Sequence, residues 1–322
     1  MTSSKPQIAG IGNPLVDVLA SIDMEGPSRH GLTVGEMHLV DSASATALYA
    51  EIGPGVQQSG GSVANTIAHI GDLGHGGSFL GMVADDELGD LFRAEMARVG
   101  VSCPVVSRTD GVGTGRCVVM VTPDGERTMS TFLGACECLA PSDLPDTLPA
   151  GTAILLVEGY HWDAPHGPAN IIRAAELAHA TGAKVAMTPS DAACVDRQRG
   201  NMLAFVEAHC DILIGNESEL CALAGAADAA AALDWAMTHV DVVALTRSEL
   251  GAMVCDGGPV VAVPAVPVDK VVDSTGAGDA FAAGFLSGLA LGQTGEEAAG
   301  KGAALAARVI CHFGARQATV EA

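Results

Sequence analysis

Apolar residues fall along this chain in short uninterrupted runs, separated by longer stretches with helical spacing. Residues 7–12 read as a buried strand, followed by strands at 16–22 and 36–40. Helical spacing covers 42–52, and the pair Gly60-Gly61 opens a second helix through Asn65 to about residue 73. A strand at 78–83 precedes an amphipathic helix at 86–99, whose acidic first turn suits the helix dipole. Runs 117–121 and 128–132 flank Pro123-Asp124-Gly125 and predict a β-hairpin with an Asp-Gly turn.

From residue 152 the rhythm changes. Apolar strands at 153–157, 184–187, 211–214 and 242–245 alternate with helices at 168–180, 200–209 and 218–239, the last divided in two. Strands without polar alternation are covered on both faces, which predicts a mostly parallel sheet inside an α/β domain. Residues 251–263 read as a hairpin, and Ala-rich helices at 278–291 and 296–312 follow. The segments 13–41 and 115–135 do not fit this rhythm. They predict a small β lid that leaves and rejoins a core made of 1–12, 42–114 and 136–322.

A chain of 322 residues has room for one large α/β domain with an appendage, or for two domains. Aromatics supply only 3% against 48% hydrophobic residues, so the core must be built from Ala, Val, Leu and Ile. A net charge of −22 disfavours nucleic acid and anionic membrane surfaces as partners. The nine cysteines show no zinc-site spacing and suit reduced thiols. No apolar run approaches the ~18 residues of a membrane span, and no signal peptide is visible, so a cytoplasmic location is expected.

The densest chemistry lies at Asp273-Ser274-Thr275-Gly276-Ala277-Gly278-Asp279, a glycine turn running into an apolar helix. Unpaired backbone N–H groups and the helix dipole together make such a turn an anion cradle. A carboxylate at Asp279 would repel that anion unless it takes a proton from a nucleophile attacking it; otherwise it is an ordinary N-terminal helix acid. Rival motifs fail. Phe281 and Leu15 stand where dinucleotide fingerprints at Gly276 and Gly10 need glycine, and the Gly295–Lys301 run lacks the Walker Ser/Thr, with Gly302 in its place.

The Asp273–Asp279 run resembles the signature of the ribokinase (PfkB) family of carbohydrate and nucleoside kinases. Gly60-Gly61 with Asn65 resembles that family's other signature, and Asn216-Glu217-Ser218-Glu219 its N-x-x-E motif. The resemblance implies a ribokinase-like three-layer α/β/α fold with a β lid, acting on ATP and Mg²⁺. It makes Asp279 the general base, with Gly276, Ala277 and Gly278 as anion hole. Asn216 and Glu219 would organise Mg²⁺ through water, although a helix cap with a first-turn acid fits the same spacing. Thr246 and Gly251 match the adenine-side loop, and Asp273 and Thr275 a position for a monovalent cation such as K⁺.

For the acceptor, Asp17 resembles the family's acid for vicinal sugar hydroxyls, and one carboxylate can accept from both hydroxyls of a cis-diol. Gly60 and Gly61 would admit the sugar, with Asn65 as a further contact. The run 12–17 looks more like the adenosine kinases of the family than its sugar kinases, the bacterial branch above all. Tyr160 and Trp162, just past a strand end, and Phe132 on the hairpin are candidate stacking partners for a purine; core packing is the alternative for each. Arg127 resembles a lid arginine that approaches the phosphates. The expected partners are ATP and a nucleoside or sugar, in a monomer or homodimer. The alternatives are a ribose or ketohexose kinase and a non-catalytic nucleoside-binding protein.

Overall fold

The computed structural model describes residues 7–34, 37–53, 55–123 and 127–316. In chain order the strands are β1 (Gln7–Ile11), β2 (Leu15–Ser21), β3 (Met37–Leu39), β4 (Val56–Gly60), β5 (Gly76–Leu80), β6 (Val101–Ser102) and β7 (Gly115–Val121). They continue as β8 (Arg127–Phe132), β9 (Thr152–Glu158), β10 (Lys184–Thr188), β11 (Ile212–Asn216), β12 (Val242–Thr246), β13 (Ala252–Cys255) and β14 (Val261–Val263). The helices are α1 (Gly26–Arg29), α2 (Ser42–Ile52), α3 (Ser62–Asp72), α4 (Glu87–Arg98) and α5 (Gly167–Ala180), then α6 (Ala192–His209), α7 (Glu217–Ala224), α8 (Ala229–Met237), α9 (Ala277–Ala290) and α10 (Gly295–Val309).

The larger sheet runs β14-β13-β12-β11-β10-β9-β1-β5-β6, parallel from β12 to β6 with β13 and β14 antiparallel at one edge. Its strands alternate between two cores. Leu155, Val157, Val185, Met187, Leu213 and Leu245 face α5 to α8. Ile154, Leu156, Ala186, Ile212, Ile214 and Ala244 face α3, α4, α9 and α10. Both faces are covered, which is why these strands lack polar alternation. This is the three-layer α/β/α arrangement expected from the sequence. No single helix among the described residues is long and apolar enough to cross a membrane.

The smaller sheet runs β3-β8-β7-β2-β4, with β7 and β8 as the expected antiparallel pair. The expected turn residues Asp124 and Gly125, and Glu36 at the start of the third strand, lie outside the described residues. The lid also draws in β4, from a stretch assigned by sequence to the core, and β4 pairs antiparallel with β2. Val18, Val118 and Met120 on one lid face pack under Leu48 of α2, so α2 belongs with the lid as well. The opposite lid face carries Leu15, Leu19, Cys117, Val119 and Met129 and overhangs the larger sheet.

Because the large sheet is parallel, β1, β9, β10, β11 and β12 all end at one edge, at Ile11, Glu158, Thr188, Asn216 and Thr246. The β1–β2 connection carries the chain from that edge straight into the lid, so the two sheets form a cleft over the edge where ligands gather in open α/β folds. Helix α9 fixes one wall. It buries Phe281, Phe285 and Leu286, each contributing about 2 kcal/mol. It meets α10 at such close range that a Cβ added at Gly284 would lie 2.7 Å from the backbone of Gly302. Replacing Gly284 by Val must therefore push the two helices apart. A loss of roughly 1–3 kcal/mol is expected in urea denaturation; unchanged stability would mean that the pair can separate freely.

Candidate active site

Helix α9 begins beneath the lid. Its N-cap Gly276 adopts φ 75°, and a Cβ there would lie 2.7 Å from Ala315, so only glycine closes this turn. The turn takes the Ala277 N–H to the Ser274 carbonyl at 3.2 Å. A Cβ built on Gly278 would meet nothing within 4 Å, so the helix mouth is open on that side. The first amides of a helix have no intrahelical partner, so this opening is an anion cradle.

Asp279, in the first turn of α9, is held from α3. Ser62 Oγ donates to Oδ1 at 2.7 Å and Asn65 Nδ2 to Oδ2 at 3.1 Å, while Thr66 Oγ1 donates to the Asp279 carbonyl at 3.3 Å. Burial pushes the Asp279 carboxyl up to about 6, against the hydrogen bonds from Ser62 and Asn65 and the charge of Arg316. Asn65 is buried, and its Oδ1 has no partner among the described residues. An orphaned acceptor beside a carboxylate suits a ligand hydroxyl.

Asp17 on β2 faces the same cleft. A Cβ at Gly60 would fall 2.3 Å from its Oδ2, and one at Gly61, which has φ 99°, would fall 2.2 Å from the Asn13 carbonyl. Both glycines are thus required by close approach. Burial raises the Asp17 carboxyl to about 7, with Arg316 opposing and Asp279 reinforcing the shift. Asn13, Leu15, Asp17, Met37, Leu39 and Ser62, with Cys117, Met129, Thr131, Leu133, Glu158, Tyr160 and Asp163, enclose about 690 Å³ of empty space open to solvent. A separate hollow lined by Asp241, Val243, Cys255 and Asp256 touches none of these residues.

Glu158, at the end of β9, is buried and ties the cleft together: Oε1 accepts from the Asn13 amide and Oε2 from the Val63 amide, both at 2.8 Å. Burial raises its carboxyl to about 7. Beside it, buried His161 is held neutral, its pKa lowered to about 4 by burial, and its Nδ1 lies 2.8 Å from Asn13 Oδ1. Sequence reading assigns no role to Ser62, inside the Gly60–Asn65 signature, to Glu158 and His161, beside Tyr160, or to Arg316, outside every motif.

The aromatics expected at the cleft separate. Tyr160 lines it, its hydroxyl donating to Asp191 at 2.6 Å. Trp162 does not: it is buried in the core, edge-on to Phe205 at 5.3 Å. Phe132 also misses the cleft. Strand alternation sends Met129 and Thr131 inward and Phe132 to the opposite face, where it meets the Arg116 guanidinium at 5.7 Å.

Arg127 crosses from the lid to the turn before α9, where it pairs with Asp273 and donates to Thr275 Oγ1, with Phe313 at 5.0 Å under its guanidinium. Asp273 also accepts from the amides of Thr275 at 2.9 Å and Gly314 at 2.6 Å. Burial alone would raise this carboxyl; these donors and Arg127 bring it below the usual range. The carboxylate expected beside a monovalent cation thus faces a guanidinium.

Asn216 and Glu219 form a reciprocal capping box on α7. Asn216 Oδ1 accepts from the Glu219 amide at 2.9 Å, and Glu219 accepts from the Asn216 amide at 3.0 Å and from Nδ2 at 2.6 Å. Burial lifts the Glu219 carboxyl to about 7. No group of three or more His, Cys, Asp or Glu residues among the described residues is arranged to hold a metal directly. Thr246 ends β12, and Gly251, with φ 84°, closes the following loop through a 2.7 Å bond from the Arg247 amide to its carbonyl.

The family model described as pfkB family carbohydrate kinase matches residues 35–322. Guanosine-inosine kinase of Escherichia coli (strain K12) is 29% identical over 265 residues, which cover 77% of this chain and 60% of that relative's length. Adenosine kinase of Saccharomyces cerevisiae is 28% identical over 332 residues, 94% of each chain. The crystal structure of adenosine kinase from Sinorhizobium meliloti superposes with a TM-score of 0.91 at 38% identity, over 98% of this chain and 96% of that one.

Replacing Glu158 by Ala strands two buried amides at once. The expected cost is roughly 2–5 kcal/mol in chemical denaturation; a loss below about 1 kcal/mol would show that water takes over both amides.

Proposed function

The chain belongs to the pfkB family of carbohydrate kinases, and from that premise we propose that it transfers the γ-phosphoryl group of ATP to the 5′-hydroxyl of a nucleoside, most specifically adenosine. The observation that carries this reading is the placement of Asp279: a half-buried carboxylate, gripped by Ser62 and Asn65, in the first turn of a helix whose glycine mouth is open. A carboxyl titrating near 6 is ionised at neutral pH yet basic enough to accept a hydroxyl proton as the oxygen attacks.

The acceptor would lie beneath the lid. Asp17 would receive the two ribose hydroxyls, and the orphaned Asn65 Oδ1 would accept from a further one. The walls of Leu15, Met37, Leu39, Met129 and Leu133 offer apolar contact that a nucleobase uses and a bare sugar does not, which favours a nucleoside over the sugar-kinase reading. With Trp162 and Phe132 directed elsewhere, Tyr160 is the aromatic left to touch the base. The triphosphate would run from the Thr246–Gly251 side to the mouth of α9, where the amides of Gly276 and Gly278 face the transferring group. Mg²⁺ bound with ATP would neutralise the phosphate oxygens. Asn216 and Glu219, already engaged with each other, suit a metal held through water rather than by direct ligation. Arg127, fastened to Asp273 and Thr275, would hold the lid shut over the turn and keep water from competing as acceptor.

Four measurements test this reading. Replacing Asp279 by Asn should lower kcat by about a hundred- to ten-thousand-fold with nucleoside affinity retained; near-normal turnover would remove the base. Because the base must be ionised, kcat/KM for the wild-type enzyme should fall as the pH drops through about 6, and a flat profile down to about pH 5 would contradict the assignment. Replacing Asp17 by Ala should raise the nucleoside KM roughly 10- to 100-fold, with kcat affected less. An acceptor panel with ADP detection separates the classes. Turnover on ribose or a ketohexose alone would favour a sugar kinase, and no ADP with any acceptor a binding protein.

A further inference from the structure

Arg316 lies outside every motif described above, yet it is only 8% exposed. Its guanidinium donates to both the carbonyl and the hydroxyl of Ser59, and lies 3.4 Å from Glu95 Oε2. That same carboxylate oxygen accepts from the Ser59 amide at 2.7 Å and the Ser59 hydroxyl at 2.6 Å. Ser59 is therefore held at every polar atom, and it immediately precedes Gly60, the residue against which the Asp17 carboxylate rests.

The two residues before Arg316 make comparable attachments. The Ala315 carbonyl lies 3.0 Å from Nε2 of buried His69 on α3, and Ala315 packs against the φ-positive Gly276. The Gly314 amide donates to Asp273. Three consecutive residues thus fasten β4, α3 and the turn before α9, which are the three pieces that carry the acceptor glycines, the Asp279 clamp and the anion cradle. A buried guanidinium is costly unless its charge is matched nearby. Glu95 on α4, Asp72 on α3 and Asp17 on β2 supply that match, with Arg98 on α4 opposing. The charge of Arg316 in turn draws both Asp17 and Asp279 toward their ionised forms. Asp279 pushes the opposite way on its neighbours, raising Asp17, Glu158 and Glu219.

We propose that Arg316 is a positioning residue for the transfer reaction: it fixes the Ser59–Gly61 strand end beneath the acceptor and sets a buried positive charge one residue from the glycine on which the Asp17 carboxylate rests. The inference rests on the nucleoside-kinase reading, and its two halves are separable. Arg316→Lys keeps the charge and loses the planar fork; Arg316→Gln keeps a donor for Ser59 and loses the charge; Glu95→Gln loosens the guanidinium without removing it.

The test is the pH profile of nucleoside phosphorylation by the full chain. In Arg316→Gln the acid limb of kcat/KM should move up by about one pH unit, because losing a nearby cation raises a carboxyl pKa. In Arg316→Lys the limb should stay in place while the nucleoside KM rises several-fold. Glu95→Gln, which reads the positioning half by itself, should raise KM with an unmoved limb. A wild-type limb in Arg316→Gln, an equal shift in Arg316→Lys, or an unchanged KM in Glu95→Gln would overturn the proposal. A second readout needs no turnover. Carboxyl-labelled aspartate NMR, assigned with Asp17→Asn and Asp279→Asn, should show both titration midpoints higher in Arg316→Gln than in the wild type. An inactive wild-type protein would sink the kinase reading while these midpoints still decide the role of Arg316.

Discussion

The molecule is organised around one unfavourable act, the partial burial of a carboxylate at the mouth of a helix. Drawing Asp279 partly out of water favours its neutral form, and half-buried Asp17 and buried Glu158 and Glu219 are acids with raised pKa values as well. Ser62, Asn65, the helix dipole and Arg316 offset that pressure enough to leave the group titrating near 6 rather than far above. A group so balanced is a usable base at neutral pH. A fully compensated one would be too weak, and an uncompensated one would stay protonated.

The rest of the architecture serves that balance. Parallel strands bring five chain segments to one edge, so Glu158 can reach the amides of Asn13 and Val63 and lock the β1–β2 junction to α3. The glycine contacts between α9 and α10 leave no slack in the helix that carries Asp279. The lid meets the core at two further points, Arg127 on Asp273 and Arg316 on Ser59, which tie it to the turn before α9 and to the C-terminal stretch after α10. With a net charge of −22, this protein places guanidinium groups where they act on particular carboxylates rather than on the global field.

Much of this was legible in the sequence, because the motifs are local. A glycine turn entering an apolar helix is recorded in consecutive residues, and uninterrupted Val, Ile and Leu runs announce a covered parallel sheet. Less was legible where the outcome depends on partners distant in the chain. The polar run Gln57-Gln58-Ser59 shows no apolar alternation to mark β4, whose pairing is fixed by β2 instead. Phe132 and Trp162 read equally well as stacking partners or as core; strand parity sends the first to the outer lid face, and packing against Phe205 claims the second. Asn216 and Glu219 fit a cap as well as a metal site, and the cap is what their hydrogen bonds form. Glu158 and Arg316 carry no signature because their partners, Val63 and Ser59, lie 95 and 257 positions away.

The most direct test of the central claim is a crystal structure with the nucleoside and a non-hydrolysable ATP analogue bound together. The 5′-oxygen is expected within about 3 Å of the Asp279 carboxylate, with the terminal phosphate on the amides of Gly276 and Gly278. A nucleoside seated under the lid with its 5′-oxygen turned away from Asp279, or a triphosphate bound far from the mouth of α9, would contradict it.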